Sequence, residues 1–269
     1  MTRNYHDKVW QVRHFGGFML RSATRYSIHS PFLYDLVENV IRNGHISPGV
    51  RAVEDLRRKC LSSEEVILKT DYGKRGEDKG LAIYPVSIAS VARKSLMRRR
   101  HAVRLHNLAR HLKATSILEL GTSLGLTTAY LALANPGSQV LSLEGCPELC
   151  KRARVNLDVL GIKNAEVVEG KFEEQLEGTL ARLGKVDLLL IDGDHRKESL
   201  LANLERCYPF LHNDSVVIID DIHQDPEMEE AWEMVFRREE IRISLDFYFM
   251  GWLFFRKESS KEHFRLRYL

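Results

Sequence analysis

The stretch S-I-L-E-L-G-T-S-L-G-L-T-T, residues 116–128, decides the fold of this chain. It begins as a short apolar strand that ends with an acid, Glu119, and then turns through Gly121 and Gly125. An apolar helix from Leu126 to Ala134 is predicted to follow. A strand, a glycine-containing turn and a helix N-terminus are the parts of a nucleotide-binding βα unit. Glycine suits such a turn because it lets the backbone bend tightly or approach a ligand.

A second acid lies where a nucleotide-binding unit places its ribose ligand. Glu144 closes the next apolar run, Val140–Leu143, and follows Gly121 by 23 residues. A carboxylate at about that distance binds the ribose hydroxyls in such units. The alternative is a βα turn that holds no ligand.

Composition is that of an ordinary globular protein. Of 269 residues, 44% are hydrophobic and 29% charged, and the net charge of +3 is too small to argue for nucleic acid by itself. The four cysteines form no C-x-x-C pair, so neither a disulfide framework nor a zinc site is predicted. Because no signal peptide or membrane-length apolar run is present, we expect a cytoplasmic location and no membrane partner.

The first part of the chain, residues 1–80, is predicted to form a helical extension. Ser30 and Pro31 start a helix that includes residues 34–41, a second helix covers residues 52–61, and residues 70–80 form a polar, flexible loop. Residues 81–269 are the predicted main domain. Basic residues between 93 and 104 favour either a nucleic-acid surface or, more simply, a solvated helix face. The aromatic-rich extension also suits contact with a second copy in a homodimer.

From residue 113 onward, strands and helices alternate. The predicted strands are 117–120, 140–143, 166–169, 186–191 and 216–219, and the helices between and after them are 126–134, 147–160, 173–183, 198–211 and 226–237. Short continuous apolar runs of this kind are typical of an open parallel sheet covered on both faces. Residues 241–249 and 251–255 are so close in sequence that only a tight hairpin can join them, so the final strand is predicted to be antiparallel.

The turn argues against a dinucleotide and in favour of S-adenosylmethionine. The fingerprint G-x-G-x-x-G is absent, and Glu119 would repel a pyrophosphate but attract an ammonium group. Together with the antiparallel end, this motif resembles the class I S-adenosylmethionine-dependent methyltransferases over residues 113–256. The resemblance implies an α/β, Rossmann-like fold with a mostly parallel, seven-stranded sheet whose last strand is antiparallel. Residues 26–32 resemble the N-terminal extension of a group of bacterial methyltransferases.

The resemblance also implies a set of cofactor-binding residues. Glu119 and the turn would hold the methionine end of S-adenosylmethionine, Glu144 would hold the ribose, and Cys146 and Phe172 would flank the adenine. The full predicted set is Glu119, Gly121, Thr122, Ser123, Gly125, Glu144, Gly145, Cys146, Gly170, Lys171, Phe172 and Asp192. Lys171 stands where related proteins often have an acid.

Three aspartates are predicted to bind a divalent cation. Asp192, Asp220 and Asp221 follow neighbouring strands, and their mutual repulsion calls for a cation or a proton. Oxygen ligands suit Mg²⁺, Mn²⁺ or Ca²⁺, and the pattern resembles the cation-dependent O-methyltransferases of the catechol and sugar types. The alternative is a metal-free enzyme in which Asp192 and Asp194 only shape the pocket.

His195 is the predicted general base for methyl transfer to oxygen, with His223 as its rival. Histidine titrates in the range that such proton transfer needs. The resulting hypothesis is a methyltransferase that acts on a hydroxyl of a small molecule. The alternatives are an RNA methyltransferase that uses the basic region, a cofactor-binding regulator without catalysis, and, more distantly, an oxidoreductase.

Overall fold

The structure is a computed structural model that describes residues 14–22, 30–44, 46–72 and 82–267. Most of the predicted flexible loop, from residue 73, and most of the segment 26–32 lie outside the described residues. Helix α1 covers residues 14–21, and the other helices are α2 (Pro31–Leu36, continued by a π-helical turn Val37–Ile41), α3 (Pro48–Leu61), α4 (Ile88–Ser95), α5 (Arg99–His111), α6 (Leu126–Ala134), α7 (Pro147–Val159), α8 (Phe172–Leu183), α9 (Lys197–Cys207, followed by a 3-10 turn Tyr208–Phe210) and α10 (Pro226–Phe236).

The strands form a small hairpin and one large sheet. The hairpin pairs β1 (Val66–Asp71) with β2 (Ala82–Ser87) in antiparallel fashion. The large sheet contains β3 (Ser116–Leu120), β4 (Gln139–Glu144), β5 (Ala165–Glu169), β6 (Leu188–Ile191), β7 (Val216–Asp220), β8 (Ile243–Asp246), β9 (Met250–Phe254) and β10 (Glu262–Arg265). Its spatial order is β10-β8-β9-β7-β6-β3-β4-β5, and only β9 runs antiparallel to its neighbours.

The strands are buried on both faces because their apolar residues alternate between two cores. Ile117, Leu188 and Leu190 pack on one side of the sheet, against helices of the N-terminal part of the chain. Leu118 and Leu189 pack on the other side, against residues of α8, α9 and α10. Successive side chains of a strand point to opposite faces, so a continuous apolar run supplies both cores at once.

The described part of the N-terminal extension packs into the same core as the sheet. Leu33, Leu36 and Val53 are fully buried and belong to the hydrophobic cluster that includes Ile117. The extension therefore covers one face of the sheet.

None of the helices in the described ranges has the length and apolar character that crossing a bilayer needs.

The fold predicted from the sequence is confirmed, with two additions. Each predicted strand and helix of residues 113–237 is present, and the antiparallel hairpin is β8–β9. The sheet has eight strands, because β10 pairs with β8 at the edge after a turn that the alternation did not indicate. The β1–β2 hairpin occupies residues 66–71 and 82–87, and it therefore includes Thr70 and Asp71, which were predicted to be loop.

The contact between Gly251 and Trp232 gives a test of this packing. A Cβ atom on Gly251, in β9, would lie 2.4 Å from two ring carbons of Trp232, which is 1% exposed. Because the ring is enclosed, Gly251→Ala should lower the free energy of unfolding by roughly 1–3 kcal/mol. The control is Gly178→Ala in α8, where no atom lies within 4 Å of the added Cβ and alanine favours the helix by up to about 1 kcal/mol. Urea unfolding of the wild type and of both variants measures these changes. A Gly251→Ala protein that is as stable as the wild type would contradict the packing of Gly251 against Trp232.

Candidate active site

A cavity of about 630 Å³ lies beyond the carboxyl ends of the parallel strands. Cavities of this size hold small ligands. Its wall combines the loops after β3, β4, β5 and β6 with the end of the β1–β2 hairpin. The predicted residues on the wall are Gly121, Ser123, Glu144, Gly145, Lys171, Phe172, Asp192 and His195.

Glu119 is the most deeply buried acid of this edge. Its Oε2 accepts hydrogen bonds from the Thr128 and Ser142 hydroxyls, both at 2.5 Å. Its Oε1 has no hydrogen-bond partner among the described residues. Burial raises the pKa of Glu119 to about 7. A fully buried carboxyl oxygen without a donor fits a cationic group of a ligand, such as an amino-acid ammonium.

Glu144 fixes the turn after β3 as well as facing the cavity. Its two oxygens accept hydrogen bonds from the backbone N–H of Ser123 at 2.8 Å and of Cys146 at 2.9 Å. Burial is the main cause that raises the pKa of Glu144, although these N–H groups oppose it. Because each carboxylate oxygen can accept more than one hydrogen bond, Glu144 can still bind two hydroxyl groups.

Gly121 is required by the closeness of the neighbouring loop. Its φ is +110°, and a Cβ there would lie 2.3 Å from the backbone oxygen of Asp192. The backbone N–H groups of Gly121 and Thr122 both point to the Leu143 oxygen, at 3.0 and 3.2 Å. These two N–H groups are therefore used within the protein, which fits the absence of a phosphate-binding fingerprint.

Five predicted cofactor residues do not line this cavity, and the buried Glu119 is one of them. The Thr122 hydroxyl lies 2.5 Å from that of Ser142, in the buried network beneath the turn. Gly125 is the N-cap of α6 and packs on Ala153. Cys146 is buried and its Sγ accepts a hydrogen bond from the Thr70 N–H at 3.3 Å. Gly170 adopts a φ of +139°, and a Cβ there would meet Gln175. Thr122, Gly125, Cys146 and Gly170 support the loops, whereas Glu119 lies in the buried network with Thr128 and Ser142.

The three aspartates predicted to bind metal are only partly gathered. Asp192 and Asp220 lie close enough that each affects the pKa of the other. Burial, and then the charges of Asp220 and Asp221, hold the pKa of Asp192 well above its usual value. Burial also raises the pKa of Asp220, whose Oδ1 has no hydrogen-bond partner among the described residues. Within the described part of the chain, Asp221 does not join them in a three-ligand set.

The two candidate histidines lie in different surroundings. His195 lines the cavity, and its Nε2 is 3.9 Å from Asp192 Oδ1. His223 is 4% exposed and its Nε2 lies 2.9 Å from Asp246 Oδ2, away from the cavity wall. Position therefore favours His195 as the group that can reach a ligand in the cavity.

Several residues on the wall had no signal in the sequence. Lys69 lies in β1 and Tyr72 directly follows it. Other parts of the wall are formed by Ser95, Arg196 and Gln224. A Cβ on Gly145 would lie 2.9 Å from the Tyr72 ring, and Lys171 Nζ lies 5.2 Å from the centre of that ring. Tyr72 and Phe172 are the aromatic rings of the cavity. Only the β1–β2 pairing brings Tyr72 here, and the polar sequence around it had been predicted to be loop.

The basic stretch around residue 100 is occupied by contacts within the protein. Arg98 lies over the ring of Phe249 at 4.7 Å, Arg104 donates to the Ile41 oxygen at 3.0 Å, and Arg99 lies 3.6 Å from Glu54. His101 is buried, and burial lowers its pKa to about 3, so it adds no charge. These contacts favour a structural role for the stretch over an RNA surface.

Comparisons with known proteins agree with this geometry. Residues 118–222 match the family model described as "Methyltransferase domain". The mouse protein "Catechol O-methyltransferase domain-containing protein 1" is 34% identical over 135 residues, which cover 46% of this chain and 48% of the mouse protein. The chain thus spans about half the length of the curated relative that it matches.

Solved structures show the same fold. An O-methyltransferase from Bacillus cereus in complex with S-adenosylhomocysteine is 20% identical, with a TM-score of 0.53, and the match covers 60% of this chain and 83% of that one. The O-methyltransferase TomG from Streptomyces achromogenes, in complex with S-adenosylmethionine, is also 20% identical, with a TM-score of 0.52 and coverages of 78% and 99%. The resemblance to S-adenosylmethionine-dependent methyltransferases predicted from the sequence is confirmed.

The raised pKa of Glu119 predicts a pH-dependent loss of stability. Because burial raises this pKa from 4.5 to about 7, the folded protein binds the proton more tightly than the unfolded chain. The contribution of Glu119 to stability is therefore fully present below pH 4.5 and is lost as the pH rises through 7. Glu119→Gln removes this titration, so its stability relative to wild type should increase by about 2–3 kcal/mol between pH 5 and pH 8.

Urea unfolding at both pH values measures this difference. Glu148→Gln is the matched control, because Glu148 lies at the surface and pairs with Lys151. If the difference in free energy of unfolding between Glu119→Gln and the wild type is the same at pH 5 and pH 8, the pKa of Glu119 is not raised by folding.

Proposed function

We propose that the chain is an S-adenosylmethionine-dependent methyltransferase that methylates a hydroxyl oxygen of a small molecule with the help of a divalent cation. The observation that carries this proposal is the gathering of acids at one edge of the sheet: Glu119, Glu144, Asp192, Asp220 and Asp221. Burial leaves several of them short of compensating positive charge. A ligand with an ammonium group, together with a hard cation, supplies that charge.

The chain's residues suit the separate parts of this cofactor. Glu119 Oε1, which has no donor among the described residues, accepts from the ammonium group. Glu144 accepts from the ribose hydroxyls while it keeps the Ser123 and Cys146 N–H groups. The rings of Tyr72 and Phe172 provide apolar surface for the adenine.

Asp192 and Asp220 fit a divalent cation. Asp220 Oδ1, which has no hydrogen-bond partner among the described residues, and the raised pKa values of both acids mark a place where positive charge is favourable. Asp221, next to Asp220 in the chain, would be the third acid to hold the cation. When bound, S-adenosylmethionine supplies a methyl group on a sulfonium, and a divalent cation lowers the pKa of the acceptor hydroxyl.

His195 acts as the general base. It lines the cavity beside Asp192, so it can accept the proton of an acceptor hydroxyl held next to the aspartates. Asp192 faces the imidazole at 3.9 Å and stabilises the positive charge that the proton brings. We also propose a cytoplasmic location, which the four free, buried cysteines support. A homodimer through the aromatic N-terminal helices stays a prediction.

Cofactor binding gives the first test. Glu144→Gln should weaken S-adenosylmethionine binding by about 10–100-fold, because hydrogen bonds to a charged acceptor contribute about 1.5–3 kcal/mol. Glu169→Gln is the control, since Glu169 ends the neighbouring strand β5 and pairs with Arg154. Titration calorimetry measures both affinities, with NADH as the ligand that should not bind. Unchanged affinity in Glu144→Gln would remove the ribose assignment.

Metal dependence is tested by following S-adenosylhomocysteine formation with a panel of catechols, phenols and sugars. With an accepted substrate, chelation by EDTA should stop wild-type turnover, and Mg²⁺ should restore it. Asp220→Asn should lower the Mg²⁺-supported rate by at least about 100-fold, because the cation's contribution is several kcal/mol. Binding of S-adenosylmethionine without Mg²⁺ is the control and should change little. Full wild-type activity in EDTA would favour the metal-free alternative.

The general-base assignment predicts a loss in turnover but not in cofactor affinity. His195→Ala should lower kcat by about 10²–10⁴-fold at neutral pH, the usual contribution of acid–base catalysis. His212→Ala is the control, because His212 pairs with Asp187 outside the cavity. Rates from pH 6 to 9 measure the effect. Retention of full turnover by His195→Ala at neutral pH would disprove the assignment.

A further inference from the structure

A second group of possible metal ligands lies outside the cavity. It consists of His14 on α1, His223 in the loop after β7, and Glu229 in the first turns of α10. We propose that this His14–His223–Glu229 cluster binds a divalent transition metal, with Zn²⁺ as the best fit. None of its members takes part in the reaction proposed above.

The donor atoms are already close together. His14 Nε2 lies 2.8 Å from Glu229 Oε1, and His223 Nδ1 lies 3.6 Å from the same oxygen. All three donor atoms fall within 4.8 Å of one another. Tetrahedral zinc with bonds of about 2.1 Å keeps its ligand atoms roughly 3.4 Å apart. Closing the set therefore needs only small side-chain shifts.

His223 is prepared as a ligand by its other nitrogen. Its Nε2 lies 2.9 Å from Asp246 Oδ2, and both side chains are almost fully buried. Asp246 is held in turn by the Tyr248 backbone N–H, which donates to Oδ1 at 2.8 Å. A proton on Nε2 that is donated to Asp246 leaves the Nδ1 lone pair available. Metal-binding histidines usually have this carboxylate partner, which fixes the ring and its tautomer.

The available lone pair faces the rest of the cluster. His223 Nδ1 is buried and has no hydrogen-bond partner among the described residues, because Glu229 Oε1 at 3.6 Å is too distant. A buried nitrogen without a partner is costly. A cation placed between His223, His14 and Glu229 would satisfy it.

The surrounding structure holds the ligands in position. Helix α1 packs on the β8–β9 hairpin through Phe15 and Phe18. The rings of these residues lie 4.8 and 5.3 Å from that of Tyr248, in the turn of the hairpin. Asp225 caps α10 by accepting from the Met228 N–H at 3.0 Å, which fixes the turn that carries Glu229. A cavity of about 200 Å³ borders His14 and His223 and leaves room for a water as a fourth ligand.

The donor chemistry separates this cluster from the aspartates. Two imidazoles and one carboxylate are the ligands that Zn²⁺ and similar late transition metals prefer, whereas carboxylates alone prefer Mg²⁺ or Ca²⁺. Arg265 lies 3.8 Å from Asp246 Oδ2, so its positive charge is already balanced by that acid. A zinc ion here would join α1 to the loop that also carries Asp220 and Asp221, and would fix the N-terminal layer at the edge of the sheet.

Zinc titration of the purified full-length protein tests the proposal. Calorimetry with Zn²⁺ and the visible spectrum with Co²⁺ should show one ion per chain, with the strong absorption of a tetrahedral Co²⁺ site. His14→Ala and Glu229→Gln should each weaken Zn²⁺ binding by more than about 100-fold, and Asp246→Asn by about 10–100-fold. Each variant is first checked for wild-type secondary structure by circular dichroism.

A matched control separates this site from surface binding. His111 has the same side-chain exposure as His14, 27%, and lies 2.9 Å from its own carboxylate, Asp35, without a second histidine. His111→Ala should therefore leave Zn²⁺ binding unchanged, and so should Asp220→Asn. The proposal is overturned if the protein binds no Zn²⁺ at micromolar concentration. It is also overturned if His14→Ala and Glu229→Gln bind Zn²⁺ as wild type does.

Discussion

The arrangement at the edge of the sheet depends on negative charge that is buried without enough positive charge. Glu119, Asp192 and Asp220 all have raised pKa values, and burial is the first cause in each case. A folded protein keeps such groups only when a proton, a cation or a ligand compensates them. The close backbone contact between Gly121 and Asp192 holds the turn after β3 beside the loop after β6, and the proposed chemistry follows from the charge of these acids.

The loop after β7 lies between the two proposed metal sites, the one at the aspartates and the His14–His223–Glu229 cluster. Asp220, which ends β7, and Asp221, which begins the loop, are close enough to affect the pKa of Asp192, and His223 contacts His14 of α1 two residues later. Hard oxygen donors therefore lie on one side of this loop and imidazole donors on the other. Because the donor type selects the cation, one short segment can serve two different ions. The N-terminal layer is part of this arrangement, since His14 comes from α1 and Leu33 and Val53 enter the sheet's own core.

The sequence was sufficient for the strands and helices of the central domain, because short apolar runs bounded by glycine, proline and acids have few alternatives. It also placed Glu144 and His195 at the carboxyl edge, because Glu144 ends β4 and His195 lies in the loop after β6, and both residues line the cavity. It was less informative for Thr122 and Cys146. Both are next to wall residues in sequence. However, the Thr122 hydroxyl is buried beneath the turn after β3, and strand β1 covers the Cys146 thiol.

The sequence by itself determined the order of the elements, the edge where the acids collect and the antiparallel end, because these follow from local periodicity and chain connectivity. Only the tertiary structure decided what depends on residues far apart in the chain. Tyr72 reaches Gly145 because β1 pairs with β2, and His14 meets Glu229 across more than 200 residues. Such contacts are set by packing between layers, and no local pattern encodes the distance between two side chains that the fold alone brings together.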